Sequence, residues 1–252
     1  MRIAIPSNRE ARYAERMQNK SHAVMAQRVE PKSSLDDFPT PPWATRALLE
    51  HIIGPKPLKR MTCLEPACNR GFMVEPLREY FRQVTASDVF DYGYGETADF
   101  LGGSYAEASF DWVITNPPFR LAEDFFFEAK RVARRGVALL TRTVFIESVG
   151  RYDRLFSKFP PTTFAQFTER VPMVKGRLDK KASTATGYGW LVWDMQQSVS
   201  VARLGWVPPC RKSLERSSDY DLPAPAKPRA KAKRKLPSKV KRRTVGEQLT
   251  LV

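Results

Sequence analysis

Residues 111–119 read DWVITNPPF. The first five of them, with the apolar Trp112, Val113 and Ile114 at their centre, predict a short buried β-strand. The tetrapeptide Asn116-Pro117-Pro118-Phe119 follows at the carboxyl end of that strand. Two consecutive prolines cannot extend a strand ladder or enter a helix interior, so they hold the backbone extended and stiff. Because ligands of open α/β sheets bind beyond the carboxyl ends of the strands, this turn is a candidate binding site.

The turn brings together an amide group, backbone carbonyls and an aromatic face. The side-chain oxygen of Asn116 and the carbonyl of Pro117 can each accept one N–H bond from an amino group on a flat ring. The ring of Phe119 can stack on such a base, a contact worth roughly 1–3 kcal/mol. A ring amino group is a poor nucleophile. Positioning and electrostatics would therefore supply most of the rate of a group transfer to its nitrogen. For the four residues alone, a structural turn after a buried strand is the competing interpretation.

A second strand–turn–helix pattern lies upstream. The apolar residues 61–64 lead into EPACNRG at residues 65–71, and a helix is predicted to begin near Phe72. The nicotinamide fingerprint G-x-G-x-x-G is absent. The acidic Glu65 at the strand tip suits a ligand with a positive amino end. We expect Gly71 to let the backbone approach that ligand closely.

Two further carboxylates follow strand ends. Asp88 ends a predicted strand at residues 84–87, and a carboxylate there can accept the hydroxyls of a ribose. Asp99 could accept an adenine amino group, and Phe100 could pack near its ring. Either acid alone is more typical of a solvated loop. Three acids at successive strand ends, followed by the proline turn, favour a nucleoside-containing ligand.

With these motifs in this order, the chain resembles class I S-adenosylmethionine-dependent methyltransferases of the amino-methylating DNA type. The resemblance is to the gamma arrangement that methylates adenine N6, and it covers roughly residues 36–195. DDFPTPPWAT at residues 36–45 resembles the family's Thr-Pro motif, which contacts the methyl donor. The resemblance implies a donor site formed by Thr40, Pro41, Glu65, Pro66, Ala67, Gly71, Asp88, Asp99 and Phe100. It implies a catalytic motif formed by Asn116, Pro117, Pro118 and Phe119.

One residue departs from the family pattern. Asn69 stands where the family usually has glycine. Asparagine is the non-glycine residue that best tolerates a left-handed backbone. We therefore expect the turn to form, with a weaker affinity for the donor as the alternative outcome.

The resemblance and the alternation of strand and helix patterns together predict an α/β fold. We expect a Rossmann-like methyltransferase fold: a seven-stranded, mostly parallel sheet with an antiparallel edge strand and helices on both faces. The chain of 252 residues divides into three predicted parts. They are a polar N-terminal extension at 1–35 with a helix around residues 9–28, a methyltransferase domain at 36–200, and a basic, mostly disordered tail at 201–252.

The net charge of +15 indicates a polyanionic partner. Ten Lys or Arg residues and no acid lie between Lys227 and Arg243. The segment 169–187 between the last two predicted strands is also basic, and long loops are usually functional or disordered. We expect this loop to lie over the target base and to contact phosphates. The residues assigned to those contacts are Lys175, Arg177, Lys180 and Lys181.

The expected activity is methyl transfer from S-adenosylmethionine to the N6 amino group of adenine in DNA, with RNA as the alternative nucleic acid. The sequence leaves open cytosine N4, an RNA base or a protein glutamine as the methylated amino group. A nonenzymatic nucleic-acid-binding protein is the alternative from a different class. The three cysteines have no metal-ligand spacing, and no apolar run is long enough to span a membrane. We expect a cytoplasmic monomer without a metal and without membrane contact.

Overall fold

The computed structural model describes residues 36–221. The predicted extension at 1–35 with its helix, and the part of the predicted tail from residue 222 onward, lie outside these residues. The described part contains eight strands. They are β1 (Thr62–Glu65), β2 (Gln83–Asp88), β3 (Glu96–Thr97), β4 (Phe110–Thr115), β5 (Ala133–Arg142), β6 (Thr163–Phe167), β7 (Tyr188–Asp194) and β8 (Arg203–Val207).

Five α-helical segments precede, connect or follow these strands. They are α1 (Pro42–Leu48), α2 (Val74–Arg78), α3 (Ala122–Val132), α4 (Val149–Arg151) and α5 (Arg211–Leu214). The first and fourth continue into wider π-helical turns at Leu49–Ile53 and Tyr152–Phe156. Single 3₁₀ turns occupy Lys56–Arg60, Phe100–Gly102, Thr143–Ile146 and Ser217–Tyr220.

The strands form one sheet in the order β3-β2-β1-β4-β5-β7-β6-β8. Strand β7 runs antiparallel to both β5 and β6, and all other neighbouring strands are parallel. The chain builds outward from β1 to β3 on one side and then restarts at β4 on the other. The strand order therefore reverses between β1 and β4, which is where ligands bind in such sheets. The predicted Rossmann-like methyltransferase fold is confirmed.

The sheet has one strand more than the seven predicted. Strand β8 pairs parallel with β6 from Thr163↔Arg203 to Phe167↔Val207, so β7 lies inside the sheet and β8 forms its edge. The folded part thus continues past the predicted boundary at residue 200. Residues 203–220 form a strand, a short helix and a 3₁₀ turn instead of belonging to a tail.

Apolar side chains pack against both faces of the sheet and form the hydrophobic core. On one face, α1 packs against β7, and the buried indole of Trp190 donates a hydrogen bond to the carbonyl of Ala44 at 3.2 Å. On the other face, α3 turns its apolar stripe toward the sheet. Its Phe126 packs against Trp193 with ring centroids 4.4 Å apart. Burial of these large apolar side chains holds the strand ends in fixed relative positions.

Candidate active site

The site begins at the strand-order reversal between β1 and β4. Glu65 ends β1 and is fully buried. Its Oε1 accepts hydrogen bonds from the backbone N–H of Ala67 at 3.0 Å and from the hydroxyl of Thr115 at 2.5 Å. Because Thr115 ends β4, this carboxyl group joins the two strands and the turn after β1. Burial raises the pKa of Glu65 to about 8, although both hydrogen bonds act in the opposite direction.

A cleft opens above this reversal, at the carboxyl ends of β1, β2 and β4. We call it the first cleft. It encloses about 180 Å³. Among its lining residues are Asp36, Phe38, Pro39, Thr40, Pro66, Ala67, Cys68, Asn69, Phe72, Asp88, Asp99, Phe100, Asn116, Pro118 and Phe125. Six of the predicted donor-site residues thus line the same cleft: Thr40, Pro66, Ala67, Asp88, Asp99 and Phe100.

The turn after β1 holds its shape through Asn69. This residue adopts the left-handed conformation with φ of 50°, as its place in the motif predicted. Its Nδ2 donates to Asp37 Oδ1 at 2.7 Å, and its Oδ1 accepts from the backbone N–H of Arg70 at 2.8 Å. The guanidinium of Arg70 also binds Asp37, with a shortest distance of 3.1 Å. The side chain of Asn69 therefore stabilises the turn with contacts that glycine could not make.

Asp88 and Asp99 line the first cleft, and each already accepts hydrogen bonds from nearby backbone N–H groups. Asp88 accepts backbone N–H bonds from Asn69 and Phe90, each at 3.0 Å, and burial raises its pKa. Asp99 caps the 3₁₀ turn at Phe100–Gly102 by accepting from the N–H of Leu101 at 3.1 Å. Each carboxylate keeps lone pairs for further donors, because two oxygens offer about four acceptor positions.

Among residues 36–221, the amide of Asn116 has a hydrogen-bond partner at one of its two ends. Its Nδ2 donates to the backbone carbonyl of Phe38 at 3.0 Å. Its Oδ1 is buried and has no hydrogen-bond partner among residues 36–221. The bond to a carbonyl fixes the orientation of the amide, since only the NH₂ end can donate to that group. The oxygen is left as an acceptor beside the first cleft.

Phe119 lies between the first cleft and a second one. Its backbone N–H donates to Asp36 Oδ2 at 2.7 Å, which ties the proline turn to the Thr-Pro segment. Its ring centroid lies 5.9 Å from that of Phe38, which lines the first cleft. On the other side it lies 6.2 Å from the ring of Tyr188 and 6.0 Å from the guanidinium carbon of Arg142.

The second cleft lies at the same sheet edge, beyond the ends of β5, β6 and β8 and the start of β7. It encloses about 840 Å³, within the roughly 300–1,000 Å³ of typical ligand sites. Its lining includes Arg142, Thr143, Val144, Gln166, Glu169, Arg170, Ala185, Gly187, Tyr188 and Trp206. Sequence reasoning placed Arg142 and Arg170 only among the basic residues after the proline turn, and it assigned no role to Trp206.

Three predicted donor-site residues lie off the wall of the first cleft. Pro41 caps the start of α1 instead of lining the cleft. Glu65 lies beneath the turn, as described above. Gly71 has φ of 90°, and a Cβ added there would lie 2.3 Å from the ring of Tyr94. The glycine is therefore required by its left-handed backbone and by the packed ring of Tyr94.

The predicted phosphate-binding residues also lie outside the second cleft. Lys175, Arg177, Lys180 and Lys181 are exposed and do not line it. Arg177 pairs with Asp179 at 3.1 Å, and the ammonium of Lys180 lies 5.8 Å from the ring centroid of Tyr220. The loop folds onto the Thr-Pro segment, where the N–H of Gly176 donates to the carbonyl of Asp37 at 2.8 Å. Of this loop, only the two ends at residues 169–170 and 185–187 line the second cleft.

Residues 36–221 contain neither a cluster of metal ligands nor a helix that could span a membrane. No group of three or more His, Cys, Asp or Glu side chains in this part of the chain could hold a metal ion. Within the same residues, no helix has the length and apolar character needed to cross a membrane.

Comparison with known proteins gives likenesses at the level of structure. No family model and no curated protein matches the chain. A candidate type II methyltransferase from Anaeromyxobacter dehalogenans is 21% identical with a TM-score of 0.33, covering 42% of this chain and 48% of that one. A candidate RNA methyltransferase from Pyrococcus horikoshii is 17% identical with a TM-score of 0.46, covering 66% and 90%. A candidate class I S-adenosylmethionine-dependent methyltransferase from Listeria monocytogenes is 14% identical with a TM-score of 0.48, covering 70% and 69%.

Proposed function

We propose that this protein is an S-adenosylmethionine-dependent methyltransferase that methylates the N6 amino group of adenine in DNA. The observation that carries the proposal is the buried amide oxygen of Asn116, which has no hydrogen-bond partner in the described part of the chain. A buried acceptor without a donor is costly, so a site that keeps one is suited to a ligand that supplies an N–H. The neighbouring ring of Phe119 suits a flat heterocycle that carries such an amino group.

The chemistry of the first cleft fits the methyl donor. Asp88 and Asp99 offer carboxylates for ribose hydroxyls and an adenine amino group, and Phe100 offers an apolar surface for the ring. The hydroxyl oxygen of Thr40 is buried on the same wall without a hydrogen-bond partner among the described residues. When bound, the donor would supply an electrophilic methyl group. Because the cleft encloses less than typical ligand sites, we expect its lining to widen on binding.

The residues of the proline turn would hold the target base. Asn116 Oδ1 and the carbonyl of Pro117 would each accept one N–H of the adenine amino group, which draws electron density onto the nitrogen and orients its lone pair. Phe119 would stack on the ring. The base would be flipped from the duplex at a cost of a few kcal/mol. The proton leaves to solvent after transfer, so this arrangement requires no strong general base.

The net positive charge of the chain is consistent with a polyanionic substrate. Residues 36–221 carry 25 Lys or Arg against 23 Asp or Glu, so nearly all of the excess lies outside the described part. Arg142 and Arg170 nevertheless lie together on the second cleft, and neither forms an ion pair with a described acid. The tail would supply nonspecific attraction, and these two arginines would act next to Phe119.

Phe119→Ala tests the assignment of the two clefts. Calorimetry with S-adenosylmethionine should give the same affinity for wild type and variant, because Phe119 does not line the first cleft. Transfer of labelled methyl groups to DNA should fall by about 5- to 150-fold, the equivalent of 1–3 kcal/mol of lost stacking. Phe127→Ala is the control, since that ring is 40% exposed on α3 and lines neither cleft.

Other outcomes would replace the proposal by one of the alternatives. Transfer to RNA, cytosine N4 or a protein glutamine, with DNA adenine unmodified, would keep the enzyme class and change the substrate. Nucleic-acid binding without any donor binding would indicate a nonenzymatic protein. Equal methyl transfer by wild type and Phe119→Ala would show that this turn does not hold the target base.

A further inference from the structure

We propose that Trp206, on the added edge strand β8, is a stacking platform for an unpaired base of the nucleic-acid substrate. The proposal rests on the function inferred above and adds Trp206 to the residues that bind the substrate. It assigns the second cleft to one nucleotide of the substrate strand, with its base on Trp206 and its phosphates near Arg142 and Arg170.

The exposure of Trp206 is the first observation. This side chain is 63% exposed, whereas the other four tryptophans are at most 6% exposed, namely Trp43, Trp112, Trp190 and Trp193. A large aromatic ring left in water forgoes the burial energy that the other four gain. Exposed tryptophans beside polar groups are typical of binding surfaces.

The position of Trp206 on the sheet is the second observation. In the parallel pairing of β8 with β6, Trp206 lies next to Gln166, and both line the second cleft. The cleft continues to Tyr188, whose ring contacts that of Phe119. A nucleotide on Trp206 would therefore belong to the same strand as a base held at Phe119.

The charges on the cleft wall are the third observation. Arg142 and Arg170 are both exposed, and Arg170 donates only to the carbonyl of Ala185, at 3.1 Å, among the described residues. The one acid on the wall, Glu169, directs its Oε2 to the backbone N–H groups of Cys210 and Arg211 at 2.6 and 2.8 Å. Two available guanidiniums beside an exposed indole match a phosphate–base unit, because guanidinium binds phosphate and aromatic rings stack on every base.

Fluorescence offers a direct test on the full chain. Acrylamide quenches exposed tryptophans, so in the free protein the quenchable emission should come from Trp206, and Trp206→Phe should abolish it. A short single-stranded DNA oligonucleotide containing adenine should protect that emission. Emission that remains equally quenchable at saturating oligonucleotide would overturn the proposal.

Affinity measurements on variants complete the test. Trp206→Ala should weaken oligonucleotide binding by about 5- to 150-fold, whereas Trp206→Phe should retain most of it. Leu204→Ala is the matched control, because Leu204 is 56% exposed two residues earlier on the same strand. Equal losses for Trp206→Ala and Leu204→Ala, or no loss for Trp206→Ala, would contradict the platform. Arg142→Ala and Arg170→Ala should each reduce the salt slope of binding by about 0.7.

The platform and the proposed function can fail separately. Calorimetry should give Trp206→Ala the wild-type affinity for S-adenosylmethionine, since Trp206 does not line the first cleft. Protection of Trp206 without methylation of any adenine would refute the proposed function and leave a nucleic-acid-binding cleft. Adenine methylation with Trp206 still accessible to acrylamide would refute the platform alone. Protection by a peptide but not by nucleic acid would also refute it.

Discussion

Glu65 is a carboxyl group placed where its charge is least favourable. It is fully buried at the end of β1, and its Oε2 has no hydrogen-bond partner among the described residues. The raised pKa follows from loss of hydration. Near neutral pH the folded protein therefore retains a proton that the unfolded chain has released. This single residue links the stability of the strand-order reversal to pH.

Glu65→Gln tests that linkage. Between the unfolded pKa of 4.5 and the folded pKa of about 8, the folded state binds the extra proton. The free energy of unfolding should therefore fall as pH rises through this window, by up to about 1.4 kcal/mol per pH unit from this group. The glutamine variant should lack that contribution. Denaturant unfolding of both proteins from pH 5 to 8 measures it, and a stability difference that stays constant with pH would exclude it.

At the residue scale, local sequence predicted the positions of Asn116, Asp88 and Asp99, because each lies at the end of a strand or within two residues of it. It did not predict the role of Gly71, because the ring of Tyr94 that requires a glycine lies 23 residues later. It also left Asp36 and Asp37 without roles. Their contacts with Phe119 and Arg70 span 83 and 33 residues, and no local pattern encodes such pairs.

At the element scale, a buried guanidinium on α1 binds the C-terminal segment at residues 211–221. Arg46 on α1 donates to both oxygens of Asp219 at 2.8 Å, to Glu79 and to the carbonyl of Leu214. The side chains of Arg46 and Asp219 are 4% and 5% exposed. A buried charge pair contributes little net stability while intact, but removal of one partner is costly because the other charge is left unpaired.

Arg46→Met should accordingly lower the free energy of unfolding by about 3–5 kcal/mol. Arg78→Met is the matched control, since Arg78 forms an ion pair with Glu75 but its side chain is 52% exposed. That control should cost at most about 1 kcal/mol. Denaturant titrations of the two variants provide the comparison. Equal, small losses would show that residues 211–221 do not depend on this pair.

The burial pattern and the pairing of β8 show why this strand was not predicted. Four of its five residues are at least partly exposed, so it lacks the alternation that marks a half-buried strand. Its partner β6 lies about 40 residues earlier, and a parallel pairing across that distance leaves no local signal. The helix α3 carries a local signal, in contrast, because its apolar residues Phe125, Phe126, Ala129 and Val132 repeat at helical spacing.

At the scale of the whole molecule, the carboxyl ends of the parallel strands gather both clefts at one edge of the sheet. The first cleft lies over β1, β2 and β4, and the second lies over the strands from β5 to β8. Phe119 and Asn116 stand where they meet. This layout was predictable in outline from the order of motifs. The second cleft was not, since it depends on β8 and on how the loop at 169–187 folds back.

The central claim is that Asn116 holds the amino group of adenine for methylation. The most direct measurement incubates DNA with labelled S-adenosylmethionine and either wild type or Asn116→Ala, and then identifies the labelled nucleoside after digestion. We predict label in N6-methyladenine with wild type, and a loss of about 10²-fold or more with the variant, as for other positioned polar groups. Label in another nucleoside, or full transfer by Asn116→Ala, would contradict the account.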